Sequence, residues 1–285
     1  MLVPLAGGGQ ETLLSEVGFV LLPLFTTRDA CALRLVCREF LAAVTEHPWE
    51  DRETAIQGSI AAWRACFPHA CCANVACRSL RGGEVRAAPV EDADFVHFEG
   101  LRELNVFGRV DVTDAAFVHL RGIHSLEMGL CSHLTDAALV HLVGIQRLGM
   151  AFCRGITDAG FVHLRGIQLL NIMFCPQLTD AAFVHLRGIK TLFMDHCNQP
   201  AITDAAFVHL RGIRTLSMHR CTQATISGTI FASLPGIEVL SLLGCSEGLI
   251  AAARALKLPI DRSGLGYKGE PARSLFFPWK ELQQL

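Results

Sequence analysis

The stretch Ala115-Ala-Phe-Val-His-Leu-Arg-Gly-Ile123 decides the fold, because copies of it recur along the chain. Identical or closely similar stretches stand at 93–101, 137–145, 159–167, 181–189 and 205–213. The acidic residue before each copy (here Asp114) recurs at steps of 22 residues, with 24 before the last copy. A degenerate seventh copy begins near Ile226. Self-similarity at such a period is the signature of a solenoid of stacked units.

Each unit follows the order Ile-x-x-Leu-x-Met-x-x-Cys-x-x-Leu-Thr-Asp, as at residues 123–136. The alternation of Leu126 and Met128 predicts a strand with one face turned inward. Thr135 offers a helix N-cap, and Gly122 is placed to end the preceding helix. One unit is therefore a strand, a turn and a short helix. It cannot bury its own apolar face, so the units must stack.

The unit resembles the leucine-rich repeat, in the cysteine-containing class found in many F-box proteins, over roughly residues 90–247. The resemblance implies an α/β solenoid, an arc with a parallel sheet on its concave side. We expect one leucine of each strand in an internal stack, namely Leu126, Leu148, Leu170, Leu192 and Leu216. One cysteine per repeat forms a predicted buried ladder with rungs about 5 Å apart, namely Cys131, Cys153, Cys175, Cys197, Cys221 and Cys245. A metal or redox ladder is disfavoured, because these thiols have no basic neighbours to form thiolates.

Residues 12–52 have a different character. The run from Thr12 to Phe25 is apolar with helical spacing, and Thr-Thr-Arg-Asp at 26–29 predicts the start of a second helix. The second helix carries one apolar stripe, formed by Leu33, Val36, Cys37, Phe40 and Val44. The simple interpretation is a small three-helix unit whose stripe is mostly its own core.

The run from Asp29 to Phe40, with Pro48 and Trp49 behind it, resembles the second half of an F-box. The resemblance implies that these helices dock onto a Skp-type adaptor of a cullin–RING ubiquitin ligase. Its contact residues would come from the first helix and the second, namely Leu14, Val17, Leu21, Leu33, Leu35 and Val36. F-boxes usually open with a Leu-Pro pair, where this sequence has Glu11-Thr12-Leu13-Leu14.

The sequence thus divides into four predicted parts. An F-box-like helical segment covers 11–54, a linker and N-terminal capping unit 55–89, about seven leucine-rich repeats 90–247, and a C-terminal cap and tail 248–285. The capping unit contains cysteines and a histidine at spacings that resemble metal ligands, namely Cys66, His69, Cys71, Cys72 and Cys77. It lacks the second C-x-x-C pair of a zinc site, so capping structure is favoured over zinc.

Composition narrows the function class. Of the 285 residues 51% are hydrophobic and 18% charged, and the net charge of -2 gives no bulk attraction to nucleic acid or to anionic membranes. The longest early apolar run, 17–25, is too short to span a membrane and contains Pro23. No basic residue precedes it, as a signal peptide would require. We expect a cytoplasmic or nuclear protein with its 12 cysteines reduced.

The variable strand residues are the predicted binding surface. The helical part of the unit hardly changes between copies, while the residues that alternate outward onto the concave sheet change freely. An apolar group with polar residues along one side is predicted to hold a protein target: Leu130, Phe152, Met173, Phe174, Phe193, Asp195, His196, His219 and Arg220. Neutral drift on an exposed face is the alternative explanation of this variability.

A second ladder has one histidine per repeat: His97, His119, His141, His163, His185 and His209. We interpret it as part of the convex outer surface, with arginines nearby. The alternative is a basic docking strip for acidic partners.

Two functions remain open. The sequence has no phosphate loop, nucleophile elbow or H-E-x-x-H motif, so we expect no catalysis, no cofactor and no metal. The first function is a substrate receptor of a Skp–cullin–F-box ubiquitin ligase, which the intact Leu-Arg-Leu-Val-Cys-Arg-Glu-Phe run favours. The second is a leucine-rich-repeat scaffold that does not engage the ubiquitin machinery, which the missing Leu-Pro pair favours. In both, the partner is a protein.

Overall fold

The computed structural model describes residues 22–35, 38–52, 54–77 and 89–261. Within these ranges, nine short strands form one parallel sheet in which every strand pairs with its neighbours in sequence order. The strands are β1 Cys72–Asn74, β2 Glu103–Asn105, β3 Ser125–Glu127, β4 Arg147–Gly149, β5 Leu169–Asn171, β6 Thr191–Phe193, β7 Thr215–Ser217, β8 Val239–Ser241 and β9 Ile260–Asp261. The chain is an α/β solenoid of leucine-rich repeats, as predicted.

The strand register confirms the predicted leucine stack. Leu126 pairs with Leu148, and the pairing continues through Leu170, Leu192 and Leu216 without a slip. These side chains are almost completely buried. They belong to one continuous core that runs from Ile60 to Ala253. A slip of one residue would turn every inward side chain outward, so burial of one face holds the register.

The helical part of each repeat is shorter than a regular helix. It consists of one α-helical turn, a 3-10 turn or both, at Asp92–Phe98, Asp114–Leu120, Asp136–Leu139 with Val140–Leu142, Asp158–Leu164, Asp180–Phe183, Asp204–Phe207 and Gly228–Ser233. Thr135 caps the third of these, because its side chain accepts a hydrogen bond from the backbone N–H of Ala137. Gly122 lies in the left-handed region, at φ 81°, just beyond the second.

The acidic residue of each repeat ties that repeat to the next one. The Asp136 carboxylate accepts hydrogen bonds from the Thr157 backbone N–H at 2.8 Å and from its Oγ1 at 2.6 Å. The same pair of bonds joins Asp92 to Thr113 and Asp204 to Ser227, and the repeats between them. The sequence predicted the threonine cap but not this second role of the aspartate.

The cysteines form the predicted buried ladder. Each Sγ donates a hydrogen bond to a main-chain carbonyl of the preceding repeat, at 2.8–3.3 Å. The thiols therefore satisfy carbonyls in the turn that follows each strand, which water cannot reach. Burial also raises their pKa; that of Cys175 reaches about 12.

The N-terminal helices are α1 Thr27–Leu33, α2 Arg38–Glu46 and α3 Ile60–Cys66, preceded by a 3-10 turn at Leu22–Leu24. Thr26 and Asp29 form a capping box at α1, where the sequence predicted a helix start. A small core joins α1 and α2 to α3, and so crosses the predicted boundary between residues 54 and 55. Trp49 is its centre, packed edge-on against Phe67, with its indole N–H donating to the Val44 carbonyl. The first helix was predicted over 12–25; residues 12–21 lie outside the described residues, and the end of the run forms the 3-10 turn.

The C-terminal cap is helix α4, Glu247–Ala255, at the start of the predicted cap and tail. Leu249 and Ala253 of α4 are buried against the last repeat and close the end of the core. The remainder of the predicted tail, 262–285, lies outside the described residues.

Candidate functional site

Three positions beyond the end of each strand from β3 to β7, one residue has a left-handed backbone conformation. We call these residues the αL row: Leu130, Phe152, Phe174, His196 and Arg220, with φ between 53° and 64°. Glycine holds the equivalent place at both ends, at Gly108 and Gly244. Glycine adopts this conformation without strain, whereas for a residue with a Cβ it costs roughly 1 kcal/mol or more. Side chains thus stand where the backbone alone favours glycine.

The rings of the αL row are stacked. The Phe152 and Phe174 centroids are 4.3 Å apart at 14°, and those of Phe174 and His196 are 4.2 Å apart at 17°. Similar backbone angles in successive repeats point the side chains the same way, and the strand spacing of about 4.8 Å matches a ring stack. All three rings remain partly exposed, and Arg220 at the end is exposed. The αL row therefore consists of three stacked rings, with Leu130 at one end and the Arg220 cation at the other.

The Leu130 end of the αL row packs on apolar side chains that follow the first two strands. Leu130 and Phe152 pack against a small cluster of Phe107 and Ala76. Phe107 occupies the space above Gly129, where a Cβ would come within about 3.0 Å of its ring. This end of the αL row is therefore held in place by side-chain packing.

Part of the predicted target-binding surface is buried. Asp195, Met173 and His219 are nearly inaccessible, and Phe193 is half-buried. The Asp195 carboxylate accepts bonds from Ser217 Oγ at 2.6 Å and from the His219 backbone N–H at 2.8 Å. The His219 Nε2 in turn meets Ser241 Oγ. Side chains on neighbouring strands cover one another here, so these residues form a network under the row instead of a contact surface.

Burial shifts the pKa values of Asp195 and of His196 in the αL row. Burial raises the pKa of the Asp195 carboxyl, although the neighbouring His219 acts in the opposite direction. Burial, and then the Arg220 cation, lowers the pKa of His196. His196 therefore favours the neutral form, in which its ring stacks on Phe174 as an aromatic group.

Glu127 is one of the strand residues that alternate with the inward leucines and methionines, and the structure buries it. Its side chain occupies the space over Gly149, where any Cβ would overlap the carboxylate. Its Oε1 accepts the Gly129 backbone N–H at 3.0 Å, while Oε2 has no hydrogen-bond partner among the described residues. Burial raises the pKa of Glu127 to about 8. Glycine on the adjacent strand thus makes room for a carboxyl group that is largely protonated near neutral pH.

Glu103 links the sheet to the N-terminal segment. Its buried carboxylate is held between Arg52, with Nε 2.8 Å away, and Arg147, with Nη2 2.8 Å away. Charges removed from water persist when paired in this way. Arg52 follows Trp49, so this ion pair joins the helices α1 to α3 to the first strands of the sheet.

The predicted adaptor-binding residues are only partly described. Leu14, Val17, Leu21 and Val36 lie outside the described residues. Leu33 is half-buried in the small core around Trp49, so it is not free to dock. Leu35 is 88% exposed. Three further exposed apolar residues stand near it in sequence, and the sequence interpretation had missed them: Leu24, Phe25 and Leu41.

The cysteines of the capping unit are free thiols. Within the described ranges, no three His, Cys, Asp or Glu side chains are grouped so as to hold a metal ion. None of the helices in those ranges has the length and apolarity needed to cross a membrane.

No family model matches the sequence, and no curated protein is significantly similar to it. Several solved structures are similar at low identity. TLR13 in its complex with ssRNA13 is 16% identical with a TM-score of 0.49, over 70% of this chain and 32% of TLR13. A chain of the Rad7 and Elc1 complex in yeast is 14% identical with a TM-score of 0.43, over 93% of this chain and 93% of the matched chain. The leucine-rich-repeat domain of the type III effector XopL is 15% identical with a TM-score of 0.42, over 91% of this chain and 95% of that domain. This chain spans about a third of the TLR13 length, and similarity at this level says nothing about partners.

Proposed function

We propose that this chain is a non-catalytic receptor that holds a protein target on the αL row. Its N-terminal helices would dock onto a Skp-type adaptor of a cullin–RING ubiquitin ligase. The observation that carries the first half is the αL row itself. Stacked, partly exposed rings stand at positions where their backbone is strained and where Gly108 and Gly244 show that glycine fits. Strained residues cluster at functional sites because the strain is retained for a purpose.

The chemistry of the row indicates what the target presents. Phe152 and Phe174 lie in the middle and offer the exposed edges of their stacked rings. Aromatic side chains are frequent hot spots of protein interfaces. Arg220 at one end offers an exposed cation. A target segment with apolar side chains followed by a carboxylate fits this order. We keep Leu130, His196 and the half-buried Phe193 as flanking contacts, while Met173, Asp195 and His219 would act from below.

The docking half rests on apolar side chains that the N-terminal core leaves in solvent. Leu24 is 77% exposed and Leu35 88%, on a segment that buries other large side chains around Trp49. Large apolar side chains left in solvent on one short segment favour an interaction surface. The resemblance of residues 29–40 to an F-box supplies the kind of partner.

The adaptor half is tested by co-purification with a purified Skp-type adaptor. The change Leu35→Asp places a carboxylate in the docking interface without touching the protein's own core, so binding should be lost. Leu243→Asp is the matched control, since Leu243 is 59% exposed at the far end of the sheet. Wild-type protein that does not bind the adaptor contradicts this half.

The target half is tested by site-specific photo-crosslinking in cells. A crosslinker at position 152 should form adducts with a partner protein, and Phe174→Ser should remove them. A crosslinker at Val140, which is exposed on the convex side, is the control. Equal adducts from both positions would refute a target site on the αL row.

A scaffold that does not engage the ubiquitin machinery is the second candidate, and one observation favours it. The N-terminal helices share a core with α3, and Arg52 pairs with Glu103 of β2. These contacts are those of a cap that closes the solenoid. Adaptor binding by the wild-type chain decides between the two functions.

A further inference from the structure

The later repeats carry a second surface away from the αL row, on the segments that run from the helical turns to the starts of the strands. We call it the basic strip, and it consists of an aliphatic row and two cationic rows: Val162, Val184 and Val208; Arg165, Arg187 and Arg211; Lys190 and Arg214. All eight side chains are exposed. We propose that the basic strip is a docking surface for an acidic, aliphatic-rich segment of a partner protein.

Stacking of the repeats brings these residues side by side. The helical turns Asp180–Phe183 and Asp204–Phe207 pack on each other, with the Phe183 and Phe207 rings 6.4 Å apart. Val184 and Arg187 therefore follow one turn while Val208 and Arg211 follow the next. The backbone N–H of Arg214 donates to the Lys190 carbonyl at 2.9 Å, so these two are also neighbours. Like charges thus stand in adjacent repeats, at equivalent positions of each unit.

Within the described residues, the repeat aspartates form no ion pairs with the basic strip. Asp158, Asp180 and Asp204 are bound to the next repeat through Thr179, Thr203 and Ser227. Asp195 is buried on the opposite side of the repeat, in the concave network.

Only the last cation has an acidic partner, among the residues that the structure describes. Arg214 approaches Glu238 at 3.6 Å, with both side chains largely exposed. No other arginine or lysine of the strip forms an ion pair there. Adjacent unpaired cations create a local positive potential that an anionic partner would relieve.

The cationic residues are confined to the later repeats, although the repeat unit itself continues along the whole solenoid. The position of Arg187 is occupied by Val143 two repeats earlier, and that of Lys190 by Gln146 and Gln168. The repeats before residue 157 therefore lack the paired cationic rows. Arg121 stands at the same repeat position as Arg187 but outside the cluster, which makes it an internal control.

The exposed valines favour a protein rather than a nucleic acid as the partner of the basic strip. Val184 and Val208 are 44% and 55% exposed beside the arginines. A phosphate backbone offers nothing to cover aliphatic side chains, and single-stranded nucleic acids bind where aromatic rings accept stacked bases. The strip has no Phe, Tyr or Trp. A peptide that alternates acidic and aliphatic residues can satisfy both rows at once.

Fluorescence anisotropy on the full chain tests the proposal with a labelled peptide of alternating Glu and Leu. We expect binding that weakens with salt and that drops at least about tenfold when Gln replaces Glu in the peptide. The double change Arg187→Glu with Arg211→Glu should cause a similar loss, and Arg121→Glu should cause none. Val184→Ser with Val208→Ser should weaken the Glu–Leu peptide but leave a Glu–Gly peptide unaffected.

Four results would overturn the proposal. They are no binding of the peptide, equal losses for Arg121→Glu and the double change, tighter binding of a labelled deoxythymidine oligomer, and loss of binding in Phe152→Ser with Phe174→Ser. The last would mean that the peptide occupies the αL row. A thermal unfolding curve of each variant shows whether it is folded, and for the exposed residues of the basic strip this curve should be unaltered.

Discussion

At the scale of single residues, the concave face holds titratable groups that the fold has removed from water. Glu127 lies over Gly149 with one oxygen unpartnered within the described part of the chain, and Asp195 is fully covered beside His219. A buried carboxyl without a cation avoids the cost of its charge by staying protonated. Such groups make the stability of the repeats depend on pH.

Glu127→Gln measures this dependence. Burial raises the pKa of Glu127 from 4.5 to about 8, so the native state binds a proton that the unfolded chain has released. The free energy of unfolding should therefore fall as pH rises between these values, by up to about 1.4 kcal/mol per pH unit. The substituted amide cannot titrate, so the free energy of unfolding of the variant should rise relative to that of wild type from pH 5 to 8. Urea unfolding of both proteins across this range gives the difference, and parallel curves would contradict the burial of this carboxyl.

The thiol ladder makes a second prediction at this scale. Cys153, Cys175 and Cys197 are buried, with pKa values raised by desolvation, so thiolate is scarce and reagents have no access. They should resist an alkylating reagent in the native protein and react after unfolding. Cys31 is exposed and serves as the internal control. Mass spectrometry of the labelled peptides reports each site, and fast native labelling of the three would disprove the ladder.

At the scale of the element, each repeat is held to the next by polar as well as apolar contacts. The strands of the repeats are only three residues long, and the helical parts one or two turns. Neither would persist alone. The Asp–Thr pairs and the thiol bonds recur from joint to joint and add directional contacts to the packing of the leucines.

Asp136→Ala isolates one such joint. It leaves the Thr157 backbone N–H and Oγ1 without their partner in a half-buried site, at a cost of roughly 1–3 kcal/mol. Glu238→Ala is the control, because the exposed pair of Glu238 with Arg214 contributes little. Chemical denaturation should separate the two, and equal stabilities would show that the joint is held by packing alone.

At the scale of the whole molecule, one core runs through all the repeats, and α3 and α4 close its two ends. Repeat stability is a sum of unit and neighbour terms, so a central rung affects both sides. The small core around Trp49 is separate from this one and is tied to it through α3 and the Arg52–Glu103 pair.

Leu170→Ala removes the central rung. It should cost about 2–5 kcal/mol, because the neighbours in a continuous core close a cavity incompletely. Val162→Ala in the same repeat is the control, since Val162 is 39% exposed. Thermal unfolding reports both, and a Leu170→Ala protein that melts like wild type would mean that the strand register is different.

The repeat period, the inward leucines, the thiol ladder and the threonine caps could be predicted from the sequence, because each depends on residues within one unit. The tertiary structure decided what depends on contacts between units. Glu127 and Asp195 are buried through residues on adjacent strands, more than twenty positions away in sequence. The strained backbone of Phe152 and Phe174 carries no sequence signal, since glycine normally marks it; the turn after the strand imposes it. Whether Leu33 or Leu35 faces solvent depended on where Trp49 packs, a contact that no local pattern contains.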